Sequence, residues 1–401
     1  MRQRWVALAI IFGSFIQFTL NWFSIIPMFH DLLVDLRMTP LQLGAVISAF
    51  IAGYGVFHLP GGMLAERYGM RTALLAGILI EAVGALVSGL TPSYGLLLVG
   101  RFLCGVGGSI YLGSAVGLTT AWFRDRNLAI ANGLTTGVAF SLGAAIGLFG
   151  WGFVALWIGW RPAIVVGAAI SFLTWLAMLF LYPEPPGQAG CAPDDPHHSL
   201  ASLMRVLGDP TLWIMSIAFV GGYGSYFATA GLLPGYAEQL GASAAYAGSL
   251  SAVLVLSGIV GAFIGGWLGD KVLGVVPTFL LGCTIEAGAL LAIPFLGLRM
   301  LWLPAALIGG SVIMAFVTWI GLPGLMGRRF RPSDVPTAAG LMLTLGAIGG
   351  VIIPPLYVAV ASRYGAAAGW SMEGFVSLGF ALIALAGWRL QAWGDRTNAV
   401  Q

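Results

Sequence analysis

Long apolar stretches recur along this 401-residue chain, each closed by a short polar or turn-forming break. Crossing a bilayer's hydrocarbon core takes about 20 apolar residues in a helix. Twelve stretches meet that length: 5–29, 41–65, 72–90, 93–121, 128–156, 162–182, 210–234, 246–268, 275–296, 301–325, 335–361 and 370–392. None shows the ten-residue alternation of a membrane β-barrel strand. The pattern predicts an all-α membrane protein with twelve transmembrane helices, numbered here as spans 1 to 12.

Composition agrees with the pattern. Hydrophobic residues make up 59% of the chain and charged ones only 8%. A soluble domain carries about 25% charged residues because its surface faces water. The 59 glycines fall mostly inside the spans, where small residues let helix backbones approach closely. The cysteines Cys104, Cys191 and Cys283 suggest neither a disulfide framework nor a metal cluster, and no cofactor is expected. Span 1 is too long for a signal-peptide core and no small-residue cleavage site follows it, so it is expected to stay in the membrane.

The basic residues orient the chain. Loops that remain cytoplasmic tend to carry Lys and Arg. With the N-terminus inside, inner segments hold Arg2, Arg4, Arg67, Arg71, Arg124, Arg126, Arg205, Lys271, Arg328, Arg329, Arg331, Arg389 and Arg396. Outer loops hold Arg37, Arg161, Arg299 and Arg363, while Arg101 falls inside span 4. Both termini are therefore expected in the cytoplasm of a bacterial-type inner membrane. This loop bias accounts for the net charge of +3 without any nucleic-acid partner.

The most polar segment, 183–209, contains Pro183, Pro185, Pro186, Asp194, Asp195, His197 and His198. It separates six spans from six, so it reads as a cytoplasmic linker between bundles at 1–182 and 210–401. The His197–His198 pair reads as an ordinary exposed linker pair rather than a metal site. The halves also repeat each other. Gly77-Ile78-Leu79-Ile80-Glu81-Ala82 in span 3 matches Gly282-Cys283-Thr284-Ile285-Glu286-Ala287 in span 9. Gly61 to Arg67, ending Glu66-Arg67, matches Gly265 to Lys271, ending Asp270-Lys271. Internal repeats of this kind mark carriers in which two bundles rock about a site near the bilayer midplane.

The segment Gly62-Met63-Leu64-Ala65-Glu66-Arg67-Tyr68-Gly69-Met70-Arg71 resembles the loop 2–3 signature of the major facilitator superfamily, with Glu66 at the usual aspartate and Met70 at a usual basic position. Gly62 permits close packing, Gly69 a tight turn, and Glu66 can pair with basic groups when the inner side closes. Asp270 and Lys271 belong to the second copy. Arg101 with Gly105, Gly107 and Gly108, the run Trp122 to Ala129, and Gly159-Trp160-Arg161-Pro162 resemble further segments of that superfamily. Trp122 to Ala129 is similar to its organic-anion branches. The resemblance implies two six-helix bundles related by a pseudo-two-fold axis. It also implies alternating access, with spans 1, 4, 7 and 10 lining a central cavity.

On that implication the cavity candidates are Gln17, Asn21, Trp22, Tyr111, Tyr223, Tyr226, Thr229, Thr318 and Trp319. Ionisable groups within a bilayer cost about 2.5–3.5 kcal/mol on insertion scales and mark function by default. Three are expected deep in spans: Glu81, Arg101 and Glu286. Glu81 and Arg101 lie at depths within roughly 5 Å on antiparallel helices, which allows an ion pair. They serve either as a brace of the first bundle or in proton coupling. Span 10 offers Glu286 no basic partner, so it is expected to take up a proton, as a relay or as a neutral acid bonded to its surroundings. His58 reads as a packing residue.

Three functions are weighed on these residues. Proton-driven uptake of a small organic solute, a carboxylate, would use Arg101 for charge and an acid for coupling. Spans 8 and 11 lack the basic residue typical of monocarboxylate and oxalate carriers of the superfamily, and spans 2 and 8 lack the arginines of its nitrate carriers. Efflux of a lipophilic or neutral compound fits the charge-poor, aromatic-rich spans. Against it, Gly137 to Gly147 lacks the Gly-Pro pair of the antiporter motif. A membrane enzyme would need a clustered nucleophile, base or metal set, which is not found. A sensor would need a longer soluble domain. A monomer working on a small solute and protons in a lipid bilayer is expected.

Overall fold

The computed structural model describes residues 2–183, 196–326 and 329–397. Cys191, Pro185, Pro186, Asp194, Asp195, Arg328 and the side chains of His197, His198, Arg389 and Arg396 lie outside the described part. Every regular element among the described residues is helical. Eleven helices are long and apolar enough to cross a membrane, and a twelfth passes when two segments bent by 63° are taken together.

In chain order they are α1 (Gln3–Asp35), α2 (Ala45–Tyr68), α3 (Met70–Leu90), α4 (Tyr94–Phe123), α5 (Leu128–Ile158) and α6 (Trp160–Leu181). The second set is α7 (Pro210–Gln239, preceded by its bent partner Leu200–Leu207), α8 (Tyr246–Val272) and α9 (Val275–Phe295). It closes with α10 (Leu298–Leu325), α11 (Pro332–Tyr364) and α12 (Ala366–Ala386). The twelve expected spans are therefore all present, with ends moved by a few residues. The segment read as a plain linker contains the helix Pro196–Leu207.

Four of the connections are single glycines with positive φ: Gly69 (87°), Gly159 (85°), Gly274 (84°) and Gly365 (90°). A side chain there would clash with its own backbone, so glycine lets one helix stop and the next start without a loop. These turns join α2 to α3, α5 to α6, α8 to α9 and α11 to α12. They recur at every third connection, which divides the chain into four units of three helices.

The helices meet backbone to backbone. Gly77 and Gly84 on α3 face Gly107 and Gly100 on α4. A β-carbon at Gly107 would lie 2.5 Å from the Gly77 carbonyl oxygen, and one at Gly84 would lie 2.6 Å from the Cys104 nitrogen. The second half repeats the arrangement, since a β-carbon at Gly282 on α9 would lie 2.6 Å from the Ser311 carbonyl oxygen on α10. In lipid there is no hydrophobic drive between helices, and such close van der Waals packing takes its place.

The chain divides into two compact units. One contains Met1–Arg126, Ala139–Met204 and Pro323–Gly340; the other contains Asn127–Val138, Arg205–Leu322 and Leu341–Gln401. The start of α5 therefore packs with the second half, and the start of α11 with the first. Between Gly133 and Val138, α5 runs as a π-helical turn, and it changes unit at the end of that turn.

Gly107→Val is expected to force α3 and α4 apart at a cost of about 1–3 kcal/mol. Gly95 on the same helix has nothing within 4 Å of a built β-carbon. Thermal unfolding of the purified protein should show a clear loss for Gly107→Val and none for Gly95→Ala.

Candidate functional site

Within the first unit, the loop 2–3 segment docks on the start of α11. A β-carbon at Gly62 would lie 2.5 Å from the Pro336 carbonyl oxygen. The Glu66 carboxylate accepts a hydrogen bond from Thr337 Oγ1 at 3.2 Å. Arg67 is exposed and lies over its neighbour Tyr68, 5.3 Å from the ring centroid. Arg71 donates to the Leu179 carbonyl oxygen at 2.7 Å. Nearby, Arg124 Nε donates to the Gly324 carbonyl oxygen at 2.8 Å. Burial lowers that guanidinium from its ordinary value, and the charges of Asp125 and Asp334 act to raise it.

Within the second unit, the repeated segment docks on the start of α5 in the same way. Gly266 lies against Ile130, whose Cα would be 2.9 Å from a built β-carbon. Asp270 accepts from the backbone amides of Ala129 at 3.1 Å and Ile130 at 2.8 Å. Asn127 precedes α5 in a left-handed conformation and makes no side-chain cap bond of its own. A carboxylate from α8 therefore fills the capping role, where the helix dipole favours negative charge. Lys271 Nζ donates to Asn127 Oδ1 at 2.8 Å. The two copies of the sequence motif thus hold the first turns of two equivalent helices.

The deep polar groups separate into two clusters. In the first unit Gln17 Nε2 donates to Glu81 Oε2 at 3.1 Å and to Ser171 Oγ at 2.8 Å. Asn21 Nδ2 also donates to Ser171 Oγ and, at 3.4 Å, to the Gly167 carbonyl oxygen. The expected Arg101–Glu81 ion pair is not formed. Arg101 instead donates to the main-chain carbonyl oxygens of Asn21 at 3.3 Å and Trp22 at 3.0 Å, and lies over Phe50 at 4.9 Å. The reason lies on α1: carbonyl oxygens near the end of its first long stretch reach the guanidinium, and the amide of Gln17 takes the carboxylate. Arg101 is only 4% exposed and its Nε has no partner.

Around this charge stands an aromatic cluster. Trp22 stacks on Phe50 at 4.8 Å and lies 4.7 Å from Tyr54. Tyr111 pairs with Phe15 and Phe18 at 5.5 Å each and shares a 2.8 Å hydrogen bond with Ser14 Oγ. In the second unit Tyr223 and Tyr226 flank Phe227, with centroids 5.1 and 5.4 Å away. Trp319 is fully buried and donates its indole N–H to the Met215 carbonyl oxygen at 2.7 Å. Thr318 bonds to its own helix, while the Thr229 hydroxyl is buried without a partner. His58 packs edge-on against Tyr54 at 4.3 Å.

Glu286 accepts from Ser377 Oγ at 3.0 Å, and no base contacts it among the described residues. Sequence reasoning missed a fourth deep ionisable group, Glu373, which is fully buried. Span 12 was placed from residue 370, so Glu373 read as a helix-end residue. α12 instead begins at Ala366 and carries Glu373 two turns in. Asn132 was missed as well. It is buried on α5 with neither side-chain polar atom bonded, and an uncharged amide inside a glycine-rich helix gives little signal.

The model of the Major Facilitator Superfamily matches residues 10–354, and the chain belongs to that family. It is 26% identical over 373 residues to the sialic acid transporter NanX of Escherichia coli K12, covering 88% of this chain and 87% of that protein. It is 26% identical over 347 residues to the probable nitrate/nitrite transporter NarK2 of Mycobacterium tuberculosis, covering 84% and 83%. Among solved structures, the transporter FucP in its outward conformation superposes with a TM-score of 0.80 at 18% identity, covering 95% and 98% of the two chains. The human organic anion transporter MFSD10 superposes with a TM-score of 0.79 at 15% identity, covering 95% and 99%. The fold is that of a twelve-helix transporter built from two six-helix bundles.

Asp270→Ala removes the acceptor for the first amides of α5. Losing a cap costs about 0.5–2 kcal/mol. Hydrogen exchange at the Ala129 and Ile130 amides is expected to rise about tenfold, the factor that 1.4 kcal/mol corresponds to, while exchange at Thr337 stays unchanged.

Proposed function

We propose that the protein moves a small organic anion, a carboxylate, across a bacterial inner membrane together with protons, by alternating access. The observation that carries this reading is Arg101. Its guanidinium is buried, keeps its charge in any protein environment, and is bonded to carbonyl oxygens rather than to an acid. An uncompensated buried cation beside a cavity attracts an anion. The names of the relatives agree: sialic acid, nitrate/nitrite and, over 38% of this chain, sulfoacetate are the cargoes of proteins it resembles.

In this reading Arg101, Asn21, Gln17, Tyr111, Tyr223, Tyr226 and Trp319 form the substrate face, with Glu81 and Glu286 carrying protons. The residues Gly62, Glu66, Arg67, Gly69, Arg71, Asp270 and Lys271 form the inner latch. The Glu66–Thr337 and Asp270–α5 contacts must open for the cargo to leave on the cytoplasmic side. The bundles span 1–182 and 210–401, the linker 183–209 and both termini face the cytoplasm, and the protein works as a monomer. The aromatic cluster of Trp22, Phe50, Tyr54 and Tyr111 favours a second reading, export of a lipophilic compound.

Thermal shift of the purified protein separates the two, since a ligand stabilises the state it binds. Carboxylates are expected to raise the melting temperature of the wild type but not of Arg101→Gln, and that variant should lose uptake. A shift by lipophilic amines alone would put export ahead. Glu286→Gln imitates a protonated acid. In proteoliposomes it is expected to exchange substrate yet fail to accumulate it against a gradient, and full accumulation would remove Glu286 from coupling.

A further inference from the structure

Glu286 and Glu373 are both fully buried in the second unit, on the paired helices α9 and α12. Their charges are close enough to interact. Glu286 Oε2 accepts from Ser377, one turn beyond Glu373 on α12. Glu286 Oε1 and both carboxyl oxygens of Glu373 have no hydrogen-bond partner. So does the indole nitrogen of Trp370, one turn before Glu373 and also fully buried. Three carboxyl oxygens left unsatisfied in a dry helix interface are costly unless they exchange something.

The surroundings supply no counter-charge. Cys283 on α9, Tyr357 on α11 and Tyr236 on α7 are the titratable groups that act on the pair or on its neighbours. The described parts of α7, α9 and α12 place no Lys, Arg or His against it, and Arg363 at the end of α11 is exposed. Two carboxylates this close and this dry cannot both stay ionised. One backbone feature opens the site. A β-carbon at Gly222 of α7 would lie 2.6 Å from Glu286 Oε2, so glycine lets the carboxylate reach the helix that carries Tyr223. Tyr357 interacts with Glu373 from the other side and contacts Trp370 at 4.6 Å between ring centroids.

We propose that Glu286 and Glu373, clamped by Ser377, form one site that holds a single exchangeable proton. The proposal rests on the proton-coupled reading above and names the partner that Glu286 lacks there. When the proton moves, an O–H bond on Glu373 breaks and one on Glu286 forms, and the pair keeps one negative charge throughout. A metal ion is disfavoured, because two carboxyls and one hydroxyl do not fill a shell of six or more oxygens. No cluster of three or more metal-ligating side chains occurs among the described residues.

The test is infrared titration of the full chain in liposomes, reading the carbonyl stretch of protonated carboxyls with no substrate added. Coupled acids titrate in two steps that belong to the pair. The wild type is expected to show two steps more than about one pH unit apart. Glu286→Gln and Glu373→Gln should each leave one step, placed between the wild-type two, and the double variant none. Ser377→Ala keeps both acids and should retain two steps with altered positions, which guards against a folding artefact. If either single variant keeps one wild-type step at its original pH, the acids are independent and the proposal fails. Loss of the acid band on adding sodium at constant pH would overturn it in favour of a metal cation. Transport need not be measured, so a carrier in which Glu286→Gln still accumulates substrate would lose the coupling role and keep the site.

Discussion

Everything in this molecule follows from building without water. Between helices surrounded by lipid, neither the hydrophobic effect nor bulk solvent is available to drive contact or to satisfy polar groups. Contact comes instead from glycines that bring backbones together, as where Gly77 and Gly84 on α3 meet Gly107 and Gly100 on α4. That pairing fixes the depth of Glu81 relative to Cys104, whose thiol lies 3.6 Å from the Glu81 carbonyl oxygen. It also places Arg101 against the end of the first long stretch of α1. The chemistry is therefore placed by residues that have no side chain.

The same absence of water governs the charges. At the ends of the bundles, carboxylates are used as external caps: Asp270 serves α5 and Glu66 meets α11. Such contacts combine a hydrogen bond with the favourable helix dipole, yet each amounts to only about 1 kcal/mol and can be released. In the interior each ionisable group has found a different neighbour. Glu81 has an amide, Arg101 two carbonyl oxygens and an aromatic face, and Glu286 a hydroxyl. The two halves share a backbone plan but not an electrostatic one.

Much of the architecture was legible in the sequence, because a membrane span is a one-dimensional signal. Twelve apolar runs, the glycine turns and the repeated motif needed only spacing to be read. The inner-end motif was also legible as a pair, since Glu66 and Asp270 stand at matching places in matching segments. What spacing could not give was the choice of partner. Arg101 and Glu81 lie at similar depth, but depth does not fix rotation about a helix axis, and α1 offered carbonyl oxygens that leave no trace in a sequence. Glu373 was hidden by a boundary set four residues late. Asn132 was hidden because an isolated amide among glycines looks like ordinary packing.

The π-helical turn at Gly133–Val138 bears on how this chain can change length. Such a turn holds one residue more than the regular ladder. Deleting a single residue there would restore an ordinary helix and rotate all that follows by about 100°. Phe140 would swing off Trp22, which it now meets at 6.2 Å, and Gly143 would leave the α1 backbone it lies against. Substitutions in this stretch change one contact at a time, whereas an insertion or deletion re-aims the whole remainder of the helix. In this part of the molecule residue number is itself a conserved physical quantity: drift in composition can be absorbed locally, but drift in length cannot.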